Sequence, residues 1–190
     1  MADAAEHGFH FRLMALMYKL RDFYAPRKAV LEEAGISEGF HVLDYGCGPG
    51  SYIRPLAELV GPTGLIYALD RHPLAIKMVE RLVAKRNLKN VTTIQSAGTT
   101  GLPDQSLDAA LLYDVFHDLH QPETVLKELH RVLKPGGVLS LSDHHLREQE
   151  IVSGVAREGF FRFDKKGRKT YSFQKIDRPH VFGIDSNVKR

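Results

Sequence analysis

The feature that most restricts the fold is a short apolar run that breaks off into glycines. Phe40-His41-Val42-Leu43-Asp44-Tyr45 has the length and burial pattern of a strand, and Gly46-Cys47-Gly48-Pro49-Gly50 follows at once. Ser51 to Val60 then carries apolar residues at helical steps, with Pro55 confined to the first turn, where a missing N–H costs least. Strand, glycine turn and helix open a βα unit, and such units require a mostly parallel sheet with helices on both faces.

The rest of the chain repeats the alternation. Leu65–Asp70, Val91–Gln95, Leu107–Tyr113 and Val138–Ser142 read as strands. Between them lie a helix opened by Pro73, with Leu74, Ala75, Met78, Val79, Leu82 and Val83 on one face, and a second opened by Pro122, with Val125, Leu126, Leu129, Val132 and Leu133 buried. Pro135-Gly136-Gly137 is expected to end that second helix. Shorter helices are expected over Arg27–Ala34 and about Arg147–Arg157. Phe160–Asp164 and Lys169–Ile176 are separated only by Lys165-Lys166-Gly167-Arg168, too short for a helical crossover, so the sheet should end in an antiparallel hairpin. The pattern predicts about six or seven strands in an α/β sheet with a reversed C-terminal strand. Residues 1–176 are expected to form one domain, with a helix over Phe9–Tyr24 as a lid or a packing element and a mobile tail over 177–190.

Composition narrows the function. Lys plus Arg is 26 and Asp plus Glu is 23, and a net charge of +3 without a basic block gives little capacity to neutralise phosphates, so no nucleic-acid partner is expected. The longest apolar stretch, Leu107 to Phe116, is broken by Asp108 and Asp114 and falls short of the roughly 18–20 residues of a membrane span. Met1–His10 contains acids and lacks the basic flank of a secretory signal, so the expected location is cytoplasmic. The single cysteine, Cys47, excludes internal disulfides and Cys-rich zinc sites.

The glycine turn is where such a sheet presents backbone N–H groups and a crevice to a ligand. Its spacing, Gly46-x-Gly48-x-Gly50, departs from the G-x-G-x-x-G of a dinucleotide site. Asp44, at the ligand end of its strand, would repel a pyrophosphate and suits an ammonium or sulfonium. Asp70 ends the next strand, 20 residues after Gly50, where a carboxylate can accept both hydrogen bonds of a ribose diol. The ligand these residues describe is a nucleoside that carries positive charge.

Four ordered blocks now carry a resemblance. Val42-Leu43-Asp44-Tyr45-Gly46-Cys47-Gly48-Pro49-Gly50, Tyr67-Ala68-Leu69-Asp70, Leu107-Asp108-Ala109-Ala110-Leu111-Leu112 and Arg131-Val132-Leu133-Lys134-Pro135-Gly136-Gly137 resemble the class I S-adenosylmethionine-dependent methyltransferases, of the group that includes the ubiquinone and menaquinone biosynthesis enzymes. The resemblance implies a Rossmann-like, seven-stranded, mostly parallel sheet with a reversed last strand, and S-adenosylmethionine as cofactor. It implies that Gly46, Cys47 and Gly48 contact the cofactor by main chain, that Asp44 lies near its amino-acid end, that Asp70 holds the ribose and that Arg71 flanks the adenine. Tyr45, Gly50, Ala97 and Tyr113 are assigned to the same site. The family's third strand often ends Gly-Asp-Ala; here Gln95-Ser96-Ala97 stands there, so Ser96 replaces the acid that would bond the adenine amino group.

Methyl transfer is an in-line displacement, so the protein must align nucleophile and methyl and, where needed, remove a proton. Tyr113 to His120 follows the fourth strand and Asp143-His144-His145 the fifth, both beside the crevice. His117 is the first candidate for general base or substrate orienter, and Asp114 the second. Asp114, Asp143 and His144 also resemble the metal set of catechol-type O-methyltransferases, but a hard cation favours all-oxygen ligands and no metal is expected. The absence of Asn-Pro-Pro-Tyr or Pro-Cys after the fourth strand argues against the DNA-adenine, protein-glutamine and cytosine branches. The expected activity is methyl transfer to a small-molecule acceptor. The alternatives are a protein that binds S-adenosylmethionine or S-adenosylhomocysteine without transfer, and an enzyme of this fold with another reaction.

Overall fold

The computed structural model describes residues 27–177. Along them run α1 (Lys28–Glu33), β1 (His41–Tyr45), α2 (Ile53–Val60), β2 (Leu65–Asp70), α3 (Pro73–Arg86), β3 (Val91–Gln95), β4 (Leu107–Tyr113), α4 (Pro122–Val132), β5 (Leu133–Ser142), α5 (Glu148–Ala156), β6 (Phe161–Lys166) and β7 (Tyr171–Lys175). A 3-10 turn over Phe116–Asp118 follows β4. The expected Phe9–Tyr24 helix and the tail beyond Asp177 lie outside the described residues.

All seven strands form one sheet in the order β3-β2-β1-β4-β5-β7-β6. β1 pairs in parallel with β2 and β4, β2 with β3, and β4 with β5. β7 is antiparallel to both β5 and β6, so the reversed strand sits between them. Alternate residues of the central strands feed two cores. Val42, Ile66, Ala68, Ala109 and Leu111 pack with α1 and α2, whereas Leu43, Leu69, Leu112 and Leu139 pack with α4 and α5. A parallel sheet covered in this way must be apolar on both sides, which is why β1 and β4 read as nearly unbroken hydrophobic runs.

Local chemistry fixes the elements that carry the site. His72 Nδ1 accepts a 3.1 Å bond from the Leu74 N–H, and Pro73 stands at the first helical position, so α3 starts immediately after Asp70. Gly64 admits no side chain, because a Cβ there would lie 2.7 Å from the Phe40 carbonyl, and this close approach brings β2 alongside β1. Two boundaries differ from expectation: β6 runs on through Lys165 and Lys166, expected in the turn but paired with Ser172 and Tyr171 of β7, and β5 starts early. β5 begins at Leu133, so Pro135-Gly136-Gly137 does not precede the strand but interrupts it: Leu107 pairs with Leu133 and Ala109 already with Val138. The intervening residues loop out, and Lys134 Nζ reaches Asp108 Oδ1 at 2.6 Å. Among the described residues no helix is long and apolar enough to cross a membrane.

Candidate active site

The chain leaves β1 toward β2 on one side and reaches β4 on the other, so the strand order reverses between β1 and β4 and a crevice opens at their C-terminal ends. A cavity of about 560 Å³ occupies it, within the ~300–1,000 Å³ usual for small-molecule sites. Of the residues expected at the site, Tyr45, Gly46, Cys47, Gly48, Asp70, Arg71, Ser96, Ala97, Tyr113, Asp114 and His117 line this cavity. Asp44 and Gly50 do not. Gly50, with φ +88°, faces α3, where a Cβ would press on Val79 and Leu82, so it serves packing.

The glycine turn is built differently from expectation. The N–H groups of Gly46 and Cys47 both donate to the Leu69 carbonyl, at 2.8 and 3.0 Å, and that of Gly48 donates to Asp70 Oδ2 at 2.9 Å. These amides are committed to β2 and its acid, in a turn held in left-handed conformations at Gly46 and Gly48. The turn instead offers bare Cα surface: a Cβ on Gly48 would meet no described residue within 4 Å. Gly46 is constrained, since its Cβ would lie 2.7 Å from Val115 Cγ2, two residues beyond the end of β4.

The two acids have distinct settings. Asp70 Oδ1 also accepts the His72 N–H at 2.8 Å, so this carboxylate ties the turn to the start of α3 and still retains lone pairs for a ligand. Asp44 is 1% exposed, and its Oδ2 has no hydrogen-bond partner among the described residues. Burial, with the nearby Asp70 charge added, pushes the Asp44 carboxyl up to about 7. The Cys47 thiol is raised far above its ordinary value, first by burial and then by the charges of Asp44 and Asp70, so it is not a nucleophile.

Ser96 is already engaged, its Oγ accepting from the Gly98 N–H at 3.2 Å. Tyr45 Oη donates to the Ala97 carbonyl at 3.3 Å, joining the ends of β1 and β3. Tyr113 is buried, its hydroxyl 2.9 Å from Ser140 Oγ and its ring tilted against Tyr52. Arg71 forms a 3.1 Å ion pair with Asp118 from the turn after β4. Both are well exposed on the cavity wall, which makes the pair a weak clasp.

On the β4–β5 side the structure assembles what the sequence left apart. His117 Nδ1 lies 2.8 and 3.0 Å from the two Asp143 oxygens, His144 Nδ1 lies 2.8 Å from Asp114 Oδ1, and the His145 ring lies tilted against both histidines, with centroids 4.2 Å from His117 and 3.9 Å from His144. Asp114 and Asp143 thus serve separate histidines, and no group of three metal-ligating side chains converges among the described residues. The pairing of Asp143 with His117 was not legible beforehand, because 26 residues separate them and only the β4–β5 pairing brings them together.

Comparison with known proteins identifies relatives of this chain. Residues 36–161 match the family model of a methyltransferase domain. The demethylmenaquinone methyltransferase of Geobacillus stearothermophilus is 35% identical over 130 residues, 68% of this chain and 56% of that protein, so the chain spans little more than half the length of this curated relative. Among solved structures, a SAM-dependent methyltransferase of Aquifex aeolicus is 27% identical with a TM-score of 0.71, over 85% of this chain and 97% of that one. The [4+2]-cyclase SpnF shares the fold at 20% identity and a TM-score of 0.63, over 73% of this chain and 57% of that one.

Proposed function

The chain belongs to the methyltransferase-domain family, and from that premise we propose that it transfers a methyl group from S-adenosylmethionine to a small organic acceptor bound beside His117. The observation that carries the reading is the pairing of two carboxylates with a bare glycine turn at the switch point: among the described residues, Asp70 lies on the cavity wall, the buried Asp44 has an oxygen without a partner, and Gly48 has open space at its Cα. These fit the cofactor. A nucleoside bearing a sulfonium and an ammonium needs a diol acceptor, a negative field and close approach to the main chain, and has no use for the phosphate-binding amides that this turn withholds.

S-adenosylmethionine supplies an electrophilic methyl group. The chain's own residues bind and orient: Asp70 takes the ribose hydroxyls, Arg71 flanks the adenine beside Ser96 and Ala97, and the acceptor lies toward His117 and Asp114. An aromatic quinol-type acceptor is the class that the curated relative's name supports, and a cytoplasmic setting agrees with a single, buried, unpaired cysteine.

The direct test is calorimetry with S-adenosylmethionine and S-adenosylhomocysteine, followed by mass spectrometry of the product formed with naphthohydroquinone. Binding of both nucleosides and a product heavier by one methyl group are expected; a protein that binds neither would end this reading.

Two glycines separate binding from folding. Gly48→Ala should cost about 1–2 kcal/mol for its left-handed backbone, seen as a modest loss of Tm, and should weaken S-adenosylhomocysteine binding at least tenfold, because the added methyl occupies cavity space. Gly46→Ala should lower Tm much further, since Val115 must move to relieve the 2.7 Å contact. Equal Tm losses in the two variants would contradict this assignment.

A further inference from the structure

His117 and Asp143 are held together by more than one bond. Asp143 follows the last residue of β5, and its side chain is completely buried, whereas the His117 ring is 29% exposed on the cavity wall. The same carboxylate receives the His117 backbone N–H at 3.1 Å, the His117 ring nitrogen at 2.8 and 3.0 Å, and the His145 N–H at 3.0 Å. One buried group therefore clamps both the main chain and the ring of His117, and the His145 ring packs against it, tilted by 46°.

Although burial opposes ionisation, the bonds from the His117 ring and from the His117 and His145 amides outweigh it and hold the Asp143 carboxyl below its ordinary range. It is then a carboxylate, which can only accept, so Nδ1 of His117 must be the donor. In a neutral imidazole with its proton on Nδ1, the lone pair is on Nε2.

We propose that Asp143 is a positioning residue that fixes His117 in the Nδ1–H tautomer, making Nε2 the atom that takes the proton from a hydroxyl group of the acceptor. The inference deepens the methyl-transfer reading and rests on it for the proton's source; the tautomer itself does not. In the step, the acceptor O–H bond breaks, its electron pair stays with the acceptor as the nucleophile, and the proton forms an N–H bond at Nε2. The resulting imidazolium is compensated by the Asp143 carboxylate already bonded to it. The acceptor class that needs this help is a phenol or hydroquinone, whose neutral form is a poor nucleophile; a thioether or tertiary amine has no proton to give up.

The test reads the proton directly. In protein labelled with nitrogen-15 histidine, long-range proton–nitrogen correlation at about pH 8, above the ordinary histidine range, should show His117, assigned by the signal lost in His117→Gln, with its proton on Nδ1. Asp143→Asn should abolish that preference and lower kcat with naphthohydroquinone by roughly 100-fold, the scale of general-base assistance. KM and S-adenosylhomocysteine affinity should stay within about threefold. Asp143→Glu should recover part of the rate.

A wild-type His117 protonated on Nε2 would overturn the proposal without any variant being needed, as would an Asp143→Asn protein with unchanged tautomer and kcat. Wild-type protein that binds S-adenosylhomocysteine and shows the Nδ1–H form, yet methylates only acceptors without a hydroxyl, would overturn the proton-transfer role and leave the family reading intact. Failure to bind S-adenosylhomocysteine would instead refute the methyl-transfer reading itself.

Discussion

Replacing Asp70 with alanine should weaken S-adenosylhomocysteine binding by about 100-fold or more while leaving the fold assembled. The carboxylate does two jobs at once. It accepts the Gly48 and His72 N–H groups at 2.9 and 2.8 Å, which sets the height of the glycine turn against α3, and it lines the cavity where the ribose would lie. Hydrogen bonds to a charged group contribute about 1.5–3 kcal/mol each. Loss of two to the ribose diol, about 3 kcal/mol in all, corresponds to roughly 100-fold in Kd, and release of the turn adds to it. Stability should fall less, because Asp70 is only partly buried and the freed amides can turn to water in an open crevice. Asp70→Asn separates the effects: it preserves volume and one acceptor, so its loss of affinity should be smaller. Calorimetric titration of the three proteins decides; a Kd for Asp70→Ala within about threefold of wild type would remove Asp70 from the ribose role.

The sequence disclosed the frame of the site more fully than its chemistry, and the difference has a physical origin. Strand ends are set by local patterns, so Asp44, Asp70 and the segment after Tyr113 could be placed at one edge of the sheet from hydrophobic period and glycine spacing alone. The hairpin reversal followed from loop length. The extent of β5 did not, because Pro135-Gly136-Gly137 is a terminator by local preference and is tolerated inside the strand only through the looped-out register opposite β4. The direction of the Gly46, Cys47 and Gly48 amides was equally hidden: a left-handed turn can aim its N–H groups outward or inward, and here the Leu69 carbonyl and the Asp70 carboxylate draw them inward. Asp143 was visible as a polar residue at the right strand end, but its partner depends on the 3-10 turn at Phe116–Asp118, which has no period of its own to detect.

Asp44 should make cofactor binding depend on pH near neutrality, well above the range in which an ordinary surface acid titrates. In the free protein its carboxyl is pushed up to about 7, first by burial and then by the Asp70 charge, and one of its oxygens has no partner among the described residues. Near neutrality the group is therefore about half protonated. A cation nearby favours the carboxylate, so S-adenosylmethionine must expel a proton to bind below pH 7. Its Kd should be flat above about pH 8 and should weaken as pH falls, approaching tenfold per unit. Titrations near pH 6 in two buffers of different ionisation enthalpy should report close to one proton released per ligand. The same shift acts on folding. The unfolded chain holds Asp44 at its ordinary value of 3.8, so between there and about 7 the folded state binds the extra proton. The contribution of Asp44 to the stability of the free protein is fully present below that window, is lost as pH rises through it, by roughly 4 kcal/mol at full extent, and levels off above it. Asp44→Asn should abolish both dependences, and Asp70→Ala should move the wild-type midpoint downward by removing the neighbouring charge. A Kd for S-adenosylmethionine that stays constant from about pH 5 to about pH 8 in wild-type protein would show that the cofactor's positive charge does not sense Asp44.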